Sequence, residues 1–466
     1  MLFKKYPLII SFAIFIHLIL AWYSVGYFHV DEHAQILEFA NYYVGNTPAE
    51  DLPWEFSEAM RPTTQVWMVI GILKLKIENP FYISFILRLL SVIFSLTVLF
   101  GWILQQYHRF ENVNLQRILV STSLLLWFIV YQDARFSSEN WSKNCLILAL
   151  CLLDKPNLKK YFFAGMALGA AFIFRFQTAF FAFGIVLWLI FIFRSNYKSL
   201  MLLFLGIFLF VGTGILMDSA FYEKTTLTWW NYYHQNIVED KAAAFGVSPW
   251  YDYFVKFFEQ AAPPISVILL IALPAFFIYR PKHPLTWGIL PFLIGHLMVG
   301  HKELRFLIPI AGFLPWIAIE VAAVVMEKYW HKSWILKTIK MFAIVCAIEN
   351  YAILMGVAFK PADANVPMLQ FVYEQYTEPI KLYCFEEDPY YKAMHSHFYK
   401  RPNLQTEVVK ILPKQSCLLA IRRKDVAKVH LNPNAKKVYS TLPEWMESLN
   451  INGWIDRTNF WEVYEL

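Results

Sequence analysis

Residues 6–35 read YPLIISFAIFIHLILAWYSVGYFHVDEHAQ, an apolar run that ends in two adjacent carboxylates flanked by histidines. The apolar part, from Tyr6 to Phe28, is long enough to cross a bilayer, which takes about 20 apolar residues. It is far longer than the apolar core of about 7 to 15 residues in a cleavable signal peptide, and no small-residue cleavage pattern follows it. We therefore interpret it as a retained first membrane span that leads into a polar segment.

The composition extends this interpretation to the whole protein. Of its 466 residues, 58% are hydrophobic and 16% are charged, against about 45 to 50% and about 25% in an average soluble domain. The mean hydropathy is +0.42. The sequence therefore predicts an integral membrane protein whose first partner is the lipid bilayer. The net charge of +6 falls partly in short loops, as membrane topology requires, so no nucleic-acid partner is predicted.

The cysteines predict neither a metal nor a redox centre. Cys145, Cys151 and Cys346 lie in apolar segments, and only Cys384 and Cys417 lie in a polar region where they could pair. No CxxC motif is present, so neither a zinc ribbon nor a redox pair is indicated.

The loop charges set the predicted topology, because lysine and arginine in short loops stay on the cytoplasmic side. This places MLFKK (1–5) inside and the polar stretch 29–61 outside. Segment 63–77 is short and ends in Lys74 and Lys76. We interpret it as an interfacial helix, because a span there would place the basic short loops that follow on the outer side. The predicted spans are 6–28, 81–104, 117–131, 140–153, 161–174, 177–193, 199–217, 263–279, 284–299, 304–326 and 338–359. The fold class is an all-α polytopic membrane protein of about 11 transmembrane helices, with the C-terminus outside.

The composition changes near Pro361, where charges return and apolar runs shorten to strand length. IKLYCF (380–385), SCLLAIR (416–422) and AKKVYS (435–440) are the candidate strands, separated by polar stretches typical of helices and turns. We predict a transmembrane domain over 1–360 and a small extracytoplasmic α/β domain over 361–466. Two roles fit the second domain, a stabilising cap on the outer face and a part in acceptor selection.

The unusual polar segments fall on the outer side of this topology. They are HVDEH (29–33), the loop with Glu55, Glu58 and Arg61, YQDARFSSENW (131–141), FRFQ (174–177), the loop that begins DSAFYEK (218–224), and HKELRF (301–306). Ionisable groups at membrane depth are costly and usually mark a function. The sequence therefore predicts an active site that faces outward.

Six sequence blocks, in order from about residue 29 to 309, resemble those of the family 22 glycosyltransferases, the membrane mannosyltransferases of GPI-anchor and lipid-linked oligosaccharide assembly. The blocks are HVDEHAQ (29–35), PWEFSEAMRP (53–62), FIFRFQTA (172–179), DSAFYEK (218–224), SPWYDYF (248–254) and HKELRFLIPI (301–310). The chain departs from the family pattern at Val30, Pro62, Phe176, Glu223 and Asp252. These departures leave the core chemistry intact and concern the acceptor.

The resemblance implies a GT-C type fold and an inverting transfer of a hexose, mannose above all. The donor would be a polyprenyl- or dolichyl-phosphate sugar and the acceptor a glycan or glycolipid, with no separate cofactor. The membrane would be a bacterial inner membrane or the endoplasmic reticulum, with the chemistry on the outer or lumenal face in both. Tyr222 of the DSAFYEK block and Glu303 of the HKELRF block are carried over as substrate-binding residues.

The first motif supplies the candidate base. Sugar transfer from a polyprenyl phosphate needs a carboxylate that removes the acceptor hydroxyl proton, whereas phosphate, unlike the alkoxide leaving group of a glycosidase, departs without an acid. Asp31 is the candidate base. Glu32 cannot point the same way as its neighbour, so we expect it to orient another group.

A departing lipid phosphate needs fixed positive charge, which arginine supplies in bidentate form. The candidates are Arg61, Arg175, His301, Lys302 and Arg305. Anchoring at the membrane interface is the alternative role for each of these side chains. Asp218 is expected to brace Lys224 or an arginine, or else to be an ordinary solvated loop residue.

Two alternatives were weighed beside this one. His29, Asp31 and His33 could hold a metal in an extended segment, but the related mannosyltransferases are thought to work without one, so no metal is predicted. A transporter or lipid flippase would show charges near the middle of its spans and pseudo-symmetric halves. The predicted spans are mostly free of charge, with Arg88 and Glu349 as exceptions. A GT-C enzyme acting on protein or on a lipid A-like acceptor also fits the sequence.

Overall fold

The structure is a computed structural model that describes residues 2–329, 333–391, 395–413, 417–431, 433–442 and 460–466. These residues group into two compact units. The first comprises Met1–Ala21, Glu58–Gln65 and Arg88–Phe359, and the second comprises Trp22–Ser57, Val66–Leu87 and Lys360–Leu466. The predicted domains 1–360 and 361–466 stay a prediction about folding units.

The regular secondary structure described in the first unit is entirely helical. Its main helices are Pro7–Tyr23, the greater part of Pro80–Gln106, Val113–Leu125, Trp127–Asp133, Ser138–Leu153, Leu158–Phe174, Ala179–Phe191, Tyr197–Phe221, Ile265–Tyr279, Pro284–Met298, Leu314–Tyr329 and Ser333–Ala358. They begin and end close to the bounds of the predicted apolar segments. A continuously apolar segment of this length forms a helix because a helix makes all of its backbone hydrogen bonds within the segment.

Length and composition qualify three described helices as candidate membrane spans: Pro80–Arg109, Tyr197–Phe221 and Lys337–Ala358. Two further pairs qualify if each bent pair is one span, namely Val113–Leu125 with Trp127–Asp133 and Leu304–Ala311 with Leu314–Lys328. The protein is thus a helical membrane protein with three to five clear spans in its described part. The count of about 11 is not confirmed by this test.

Glycines bring two helix pairs of the first unit into backbone contact, Leu158–Phe174 with Tyr197–Phe221 and Ala179–Phe191 with Pro284–Met298. A Cβ added at Gly165 would overlap the carbonyl oxygen of Leu203, and one at Gly184 would overlap that of Trp287. Gly206 faces Phe162 in the same way, whereas Gly212 has nothing within 4 Å. Small residues at such contacts let helices approach closely where lipid supplies no hydrophobic driving force.

One span-length segment is broken at Leu126, where its two helices meet at 45°. Asn350, from the helix Ser333–Ala358, closes this break by accepting from the amide N of Trp127 at 2.9 Å and donating to the carbonyl O of Leu125 at 2.8 Å. Both backbone groups freed by the break are therefore satisfied by one side chain, as a low-dielectric environment demands.

The second unit contains short helices and a five-stranded sheet. The helices include Val30–Glu32, His33–Glu38 (a π-helix), Phe39–Tyr43, Trp54–Ser57, most of Thr64–Leu73 and Val366–Gln375. The strands are β1 (Ile380–Phe385), β2 (Leu404–Val409), β3 (Leu418–Arg422), β4 (Lys436–Ser440) and β5 (Trp461–Glu465), in the order β2-β1-β3-β5-β4. β1 is parallel to β2 and β3, and β5 is antiparallel to β3 and β4.

The small C-terminal α/β fold is confirmed, and the three predicted strand segments become β1, β3 and β4. β2 and β5 were not predicted. Cys384 and Cys417, which lie in a polar region where they could pair, are both free thiols. Cys384 is buried within β1, and this burial raises the pKa of its thiol well above the usual range.

Candidate functional site

The HVDEHAQ motif forms a helix start in the second unit. His29 caps the helix Val30–Glu32, its Nδ1 accepting from the amide N of Asp31 at 3.2 Å. The same nitrogen lies 3.5 Å from Asp31 Oδ1, and the Asp31 side chain is 20% exposed. Glu32 Oε2 accepts from the amide N of Phe28 at 3.3 Å. A partly exposed carboxylate beside an imidazole is a reasonable environment for a base.

The second histidine of the motif is part of the core. His33 is 1% exposed and lies between the rings of Tyr27 and Tyr399, at centroid distances of 5.3 and 5.2 Å. Its Nε2 is 2.7 Å from Glu38 Oε1, and Glu38 also accepts from the Thr47 hydroxyl at 2.7 Å. His33 thus packs between two aromatic rings and contacts Glu38 within the second unit.

This arrangement bears on the metal alternative. Asp31 lies beside His29, whereas His33 is directed to Glu38. Within the described ranges, no three His, Cys, Asp or Glu side chains converge as a metal site requires. The expectation of a metal-free reaction remains a prediction.

In the first unit, the loop 58–63 is held by the end of helix Tyr197–Phe221. The carboxylate of Asp218 is buried and accepts from Thr63 through both its amide N and its hydroxyl, each at 2.7 Å. Its other oxygen accepts from the Thr228 hydroxyl at 2.6 Å. The expected partner, Lys224 or an arginine, is replaced by these threonines, so Asp218 acts as a loop clamp.

Two further contacts position Arg61 within this loop. The Tyr222 hydroxyl donates to the carbonyl O of Arg61 at 2.9 Å, and the Arg61 guanidinium lies 5.5 Å from the centroid of the Tyr232 ring. Tyr222, predicted to bind substrate, therefore contacts the backbone that carries a predicted phosphate ligand. Asn231 adds two bonds to the carbonyls of Glu58 and Ala59.

A buried carboxylate brings two of the predicted arginines together. Glu139, at the start of helix Ser138–Leu153, is 3.4 Å from Arg175 Nη2 and 3.3 Å from Arg305 Nη1 through the same oxygen, Oε1. Arg175 ends the helix Leu158–Phe174, and Arg305 lies in the turn Leu304–Leu307. Both guanidinium groups also approach the Phe306 ring, at 4.8 and 5.2 Å.

Arg175 has donor atoms without a hydrogen bond in this cluster, although its Nη2 also forms the ion pair with Glu139. Its side chain is 7% exposed, and its Nε and Nη2 atoms make no hydrogen bond to any residue that the structure describes. A buried donor without an acceptor costs about 1–3 kcal/mol. Such a group is suited to an anionic ligand that supplies the missing acceptor.

The HKELRF block continues the cluster from Arg305. Glu303 joins Arg305 to His301, accepting from the arginine through Oε2 and lying 2.8 Å from His301 Nε2 through Oε1. Lys302 is buried, and desolvation lowers the pKa of its ammonium. That ammonium donates to the carbonyl O of Val299 and lies 5.7 Å from the centroid of the Tyr253 ring.

The sequence analysis missed one buried ionic cluster in the first unit. Asp133 lies 3.2 Å from His17 Nε2 through one oxygen and accepts from the Lys143 ammonium through the other. All three side chains are at most 1% exposed. A lysine within the predicted span 140–153 and a histidine in the first span were the signals, since an ionisable group at membrane depth requires a partner.

Comparison with known proteins identifies the class. The Alg9-like mannosyltransferase family matches residues 8–379, so the chain belongs to that family. It is 25% identical to GPI mannosyltransferase 3 of Candida albicans over 294 residues, 62% of this chain and 58% of that protein. It is 28% identical to GPI alpha-1,2-mannosyltransferase 3 of Homo sapiens over 305 residues, 61% of this chain and 51% of that protein. The chain spans little more than half the length of these relatives.

The fold is also similar to a solved one. The crystal structure of ArnT from Cupriavidus metallidurans bound to undecaprenyl phosphate matches 100% of this chain and 98% of that chain, with a TM-score of 0.52 and 11% sequence identity. The apo state of the same protein matches with the same TM-score. At this identity the likeness concerns the fold, which supports the predicted GT-C type.

Proposed function

We propose that this protein is an inverting glycosyltransferase that moves mannose from a polyprenyl-phosphate carrier to a glycan or glycolipid. The observation that carries the proposal is the buried pair of guanidinium groups around Glu139, with the Nε of Arg175 making no hydrogen bond to any described residue. Membership of a mannosyltransferase family supports the sugar. The related fold accommodates undecaprenyl phosphate in the Cupriavidus protein, which supports the carrier.

In the proposed reaction, Asp31 removes the proton from the acceptor hydroxyl as its oxygen attacks the anomeric carbon. The bond between that carbon and the phosphate oxygen breaks, and the polyprenyl phosphate departs with the electron pair. Attack from the face opposite the phosphate inverts the anomeric configuration. The phosphate needs no proton, so a single carboxylate suffices. Glu32 orients a neighbouring group, and no cofactor is required.

The arginines would hold the donor phosphate. Arg175 and Arg305 supply forked donors that match phosphate oxygens, and Arg61 supplies a third guanidinium from its clamped loop. His301, Lys302 and Glu303 would support this group, with Glu303 orienting Arg305. Asp218 and Tyr222 act indirectly by fixing the backbone around Arg61.

We further propose the topology of about 11 spans, with the chemistry on the outer or lumenal face of a bacterial inner membrane or of the endoplasmic reticulum. Both substrates would then be bound to the membrane, so the enzyme would mainly have to align them and would not have to capture them from solution. A protein or lipid A-like acceptor keeps the same chemistry and changes only the nucleophile.

A transporter or lipid flippase is the second candidate, and the buried cluster of His17, Asp133 and Lys143 is the observation that favours it. Within the described residues these charges are paired with one another, as in a structural cluster. Transfer of label, measured as follows, separates the two functions.

The test is transfer from radiolabelled polyprenyl-phosphate mannose into total lipid and glycan, with membranes carrying equal amounts of native or Asp31→Asn protein. Loss of general-base catalysis predicts a fall in kcat of about 10²–10⁴-fold, with little change in KM. Asp154→Asn is the matched control, since this half-buried carboxylate pairs with Arg109.

Three results would count against the proposal. Equal transfer by Asp31→Asn and native protein would remove Asp31 as the base. Equal loss in Asp154→Asn would show that any lost carboxylate damages the protein. No transfer by the native chain from any polyprenyl-phosphate hexose would overturn the enzyme assignment.

A further inference from the structure

The sheet of the second unit carries a cleft of about 790 Å³ at one edge. β1 lies between β2 and β3 and is parallel to both, so the strand order reverses at β1. In α/β sheets, ligands bind in the crevice outside the carboxyl ends of strands at such a reversal. Val408 near the end of β2, Glu386 directly after β1 and Arg422 at the end of β3 line the cleft.

The charge of the lining is acidic. Glu386, Glu387 and Asp388 contribute three carboxylates, against the one guanidinium of Arg422, which pairs with Glu387. The Asp388 carboxylate already accepts two hydrogen bonds within the protein, from the amide N of Tyr390 and from the Thr406 hydroxyl, both at 2.8 Å. Glu387 pairs with Arg422 and Glu386 pairs with Lys428 at 3.2 Å, but both glutamate side chains are about half exposed. A carboxylate has about four lone-pair sites, so each glutamate can still accept from a ligand hydroxyl.

Aromatic rings line the same cleft. Tyr391 is 54% exposed, with its ring 4.8 Å from that of His395. Trp461 is buried at the start of β5, where its indole N donates to Asn365 at 2.9 Å and its ring lies under Arg422. Trp461 thus forms a fixed wall, and Tyr391 offers an accessible face.

We propose that this cleft binds an uncharged carbohydrate, the glycan part of the acceptor, an inference that rests on the proposed function. Carboxylates accept strong hydrogen bonds from sugar hydroxyls, and the apolar face of a sugar ring packs on an exposed aromatic ring. The acidic lining repels phosphate. The volume lies within the range of about 300–1,000 Å³ typical of small-ligand pockets.

The position of the cleft in the chain agrees with a role in acceptor choice. The family match ends at residue 379, one residue before β1 begins. The carboxylates, the aromatic rings and Arg422 all lie beyond it. The proposal therefore places acceptor selection in a part of the chain separate from the residues proposed for donor binding.

The test measures sugar binding to the full chain in lipid nanodiscs by saturation-transfer difference NMR. The probes are methyl α-mannopyranoside, α-1,2-mannobiose and mannose 6-phosphate. Every variant carries Asp31→Asn, so that binding is measured without turnover and independently of the transfer assay. We expect the two uncharged probes to bind and mannose 6-phosphate to bind at least tenfold more weakly.

The variants separate the cleft from the rest of the protein. Tyr391→Ala is expected to weaken binding about fivefold, and Glu386→Gln with Glu387→Gln about tenfold or more. Glu407→Gln, at an exposed carboxylate that pairs with Lys381 outside the cleft, should bind like the parent.

Failure of either uncharged probe to bind, or binding unchanged in both cleft variants, would overturn the proposal. Mannose 6-phosphate binding as well as mannobiose would overturn the assigned ligand class. Tyr391 is exposed, so its variant keeps the test valid if the double glutamine variant does not fold. Sugar binding with no transfer activity would leave the cleft intact and count against the donor chemistry alone.

Discussion

At the scale of single residues, the role of a charged side chain depends on the partners it finds. Glu139 and Arg175 both follow apolar or weakly polar stretches, and as sequence features they resemble interfacial anchors. In the fold, Glu139 lies between Arg175 and Arg305 and is almost completely buried. A charge removed from water in this way is retained only when other charges compensate it, so the three side chains depend on one another.

Arg175→Lys tests whether the guanidinium fork matters as well as the charge. Lysine keeps the positive charge but loses the bidentate geometry, and a hydrogen bond to a charged group contributes about 1.5–3 kcal/mol. We expect the KM for polyprenyl-phosphate mannose to rise about 10-fold to 100-fold, with a smaller change in kcat.

The control for this variant is Arg109→Lys, which changes a half-exposed arginine that pairs with Asp154 at 3.9 Å. Its donor KM should match that of the native protein. A donor KM for Arg175→Lys that is also unchanged would remove Arg175 from the phosphate site and leave it a structural partner of Glu139.

The buried cluster of His17, Asp133 and Lys143 is the second prediction at this scale. Lys143→Met leaves the Asp133 carboxylate without its lysine, and breaking a buried pair costs about 3–5 kcal/mol. Thermal unfolding in detergent should show a clear loss of stability. Adding Asp133→Asn should restore part of it, because the remaining buried charge is removed.

Lys159→Met, on an exposed position of the helix Leu158–Phe174, is the matched control for lysine loss. Equal stability of the Lys143 and Lys159 variants would show that the cluster contributes nothing to the folded state.

At the scale of elements, hydropathy predicts where helices lie but not where they bend. The predicted span 117–131 becomes two helices broken at Leu126. No proline or glycine lies at this break, so local sequence contains no signal for it. The break is stabilised by Asn350, more than two hundred residues away in sequence.

Asn350→Leu should therefore destabilise the protein by leaving two backbone groups unsatisfied, each at about 1–3 kcal/mol. Asn350→Asp keeps an acceptor for the Trp127 amide but places a buried carboxylate oxygen against the Leu125 carbonyl, so its loss should be at least as large. Unfolding of the purified protein by heat measures both.

Ser121→Ala is the control, since Ser121 contacts Tyr351 on the exposed side of the same helix pair at 3.4 Å. It should be close to neutral. If Asn350→Leu were as stable as Ser121→Ala, water or another group would have to satisfy the break.

The strands illustrate the same limit. β1, β3 and β4 follow from short apolar or β-branched runs, as predicted. β2, LQTEVV, is an edge strand whose side chains are largely exposed, so its hydropathy does not distinguish it from a loop. β5, WEVYE, is recognised only through its pairing with β3 and β4. Pairing is a tertiary property that a single segment does not encode.

At the scale of the whole molecule, the distribution of loop charge predicts orientation. The predicted topology places residues 1–5 and 105–117 inside and the C-terminal residues outside. Cysteines introduced on the two sides should therefore differ in their access to a reagent added outside. In sealed right-side-out vesicles, we expect Glu407→Cys to react with a membrane-impermeant maleimide and Glu111→Cys to react only after permeabilisation. Both positions are exposed.

The parent chain provides the background labelling of its own cysteines in this experiment. The reversed pattern, with Glu111→Cys labelled first, would show that segment 63–77 spans the membrane and that the later loops lie on the other side. Labelling of both before permeabilisation would place the two positions on the same side. That result would require an even number of spans between them and would exclude the nine spans that this topology predicts there.

The sequence by itself determined the membrane class, the approximate bounds of most helices and the family, because hydropathy and motif order are local properties read along the chain. Only the tertiary structure decided which charges meet. Glu139 and Arg305 are 166 residues apart in sequence, and Thr63 and Asp218 are 155 apart. Partners at such separations, like the strand order that creates the cleft, depend on packing between distant segments, which no local pattern specifies.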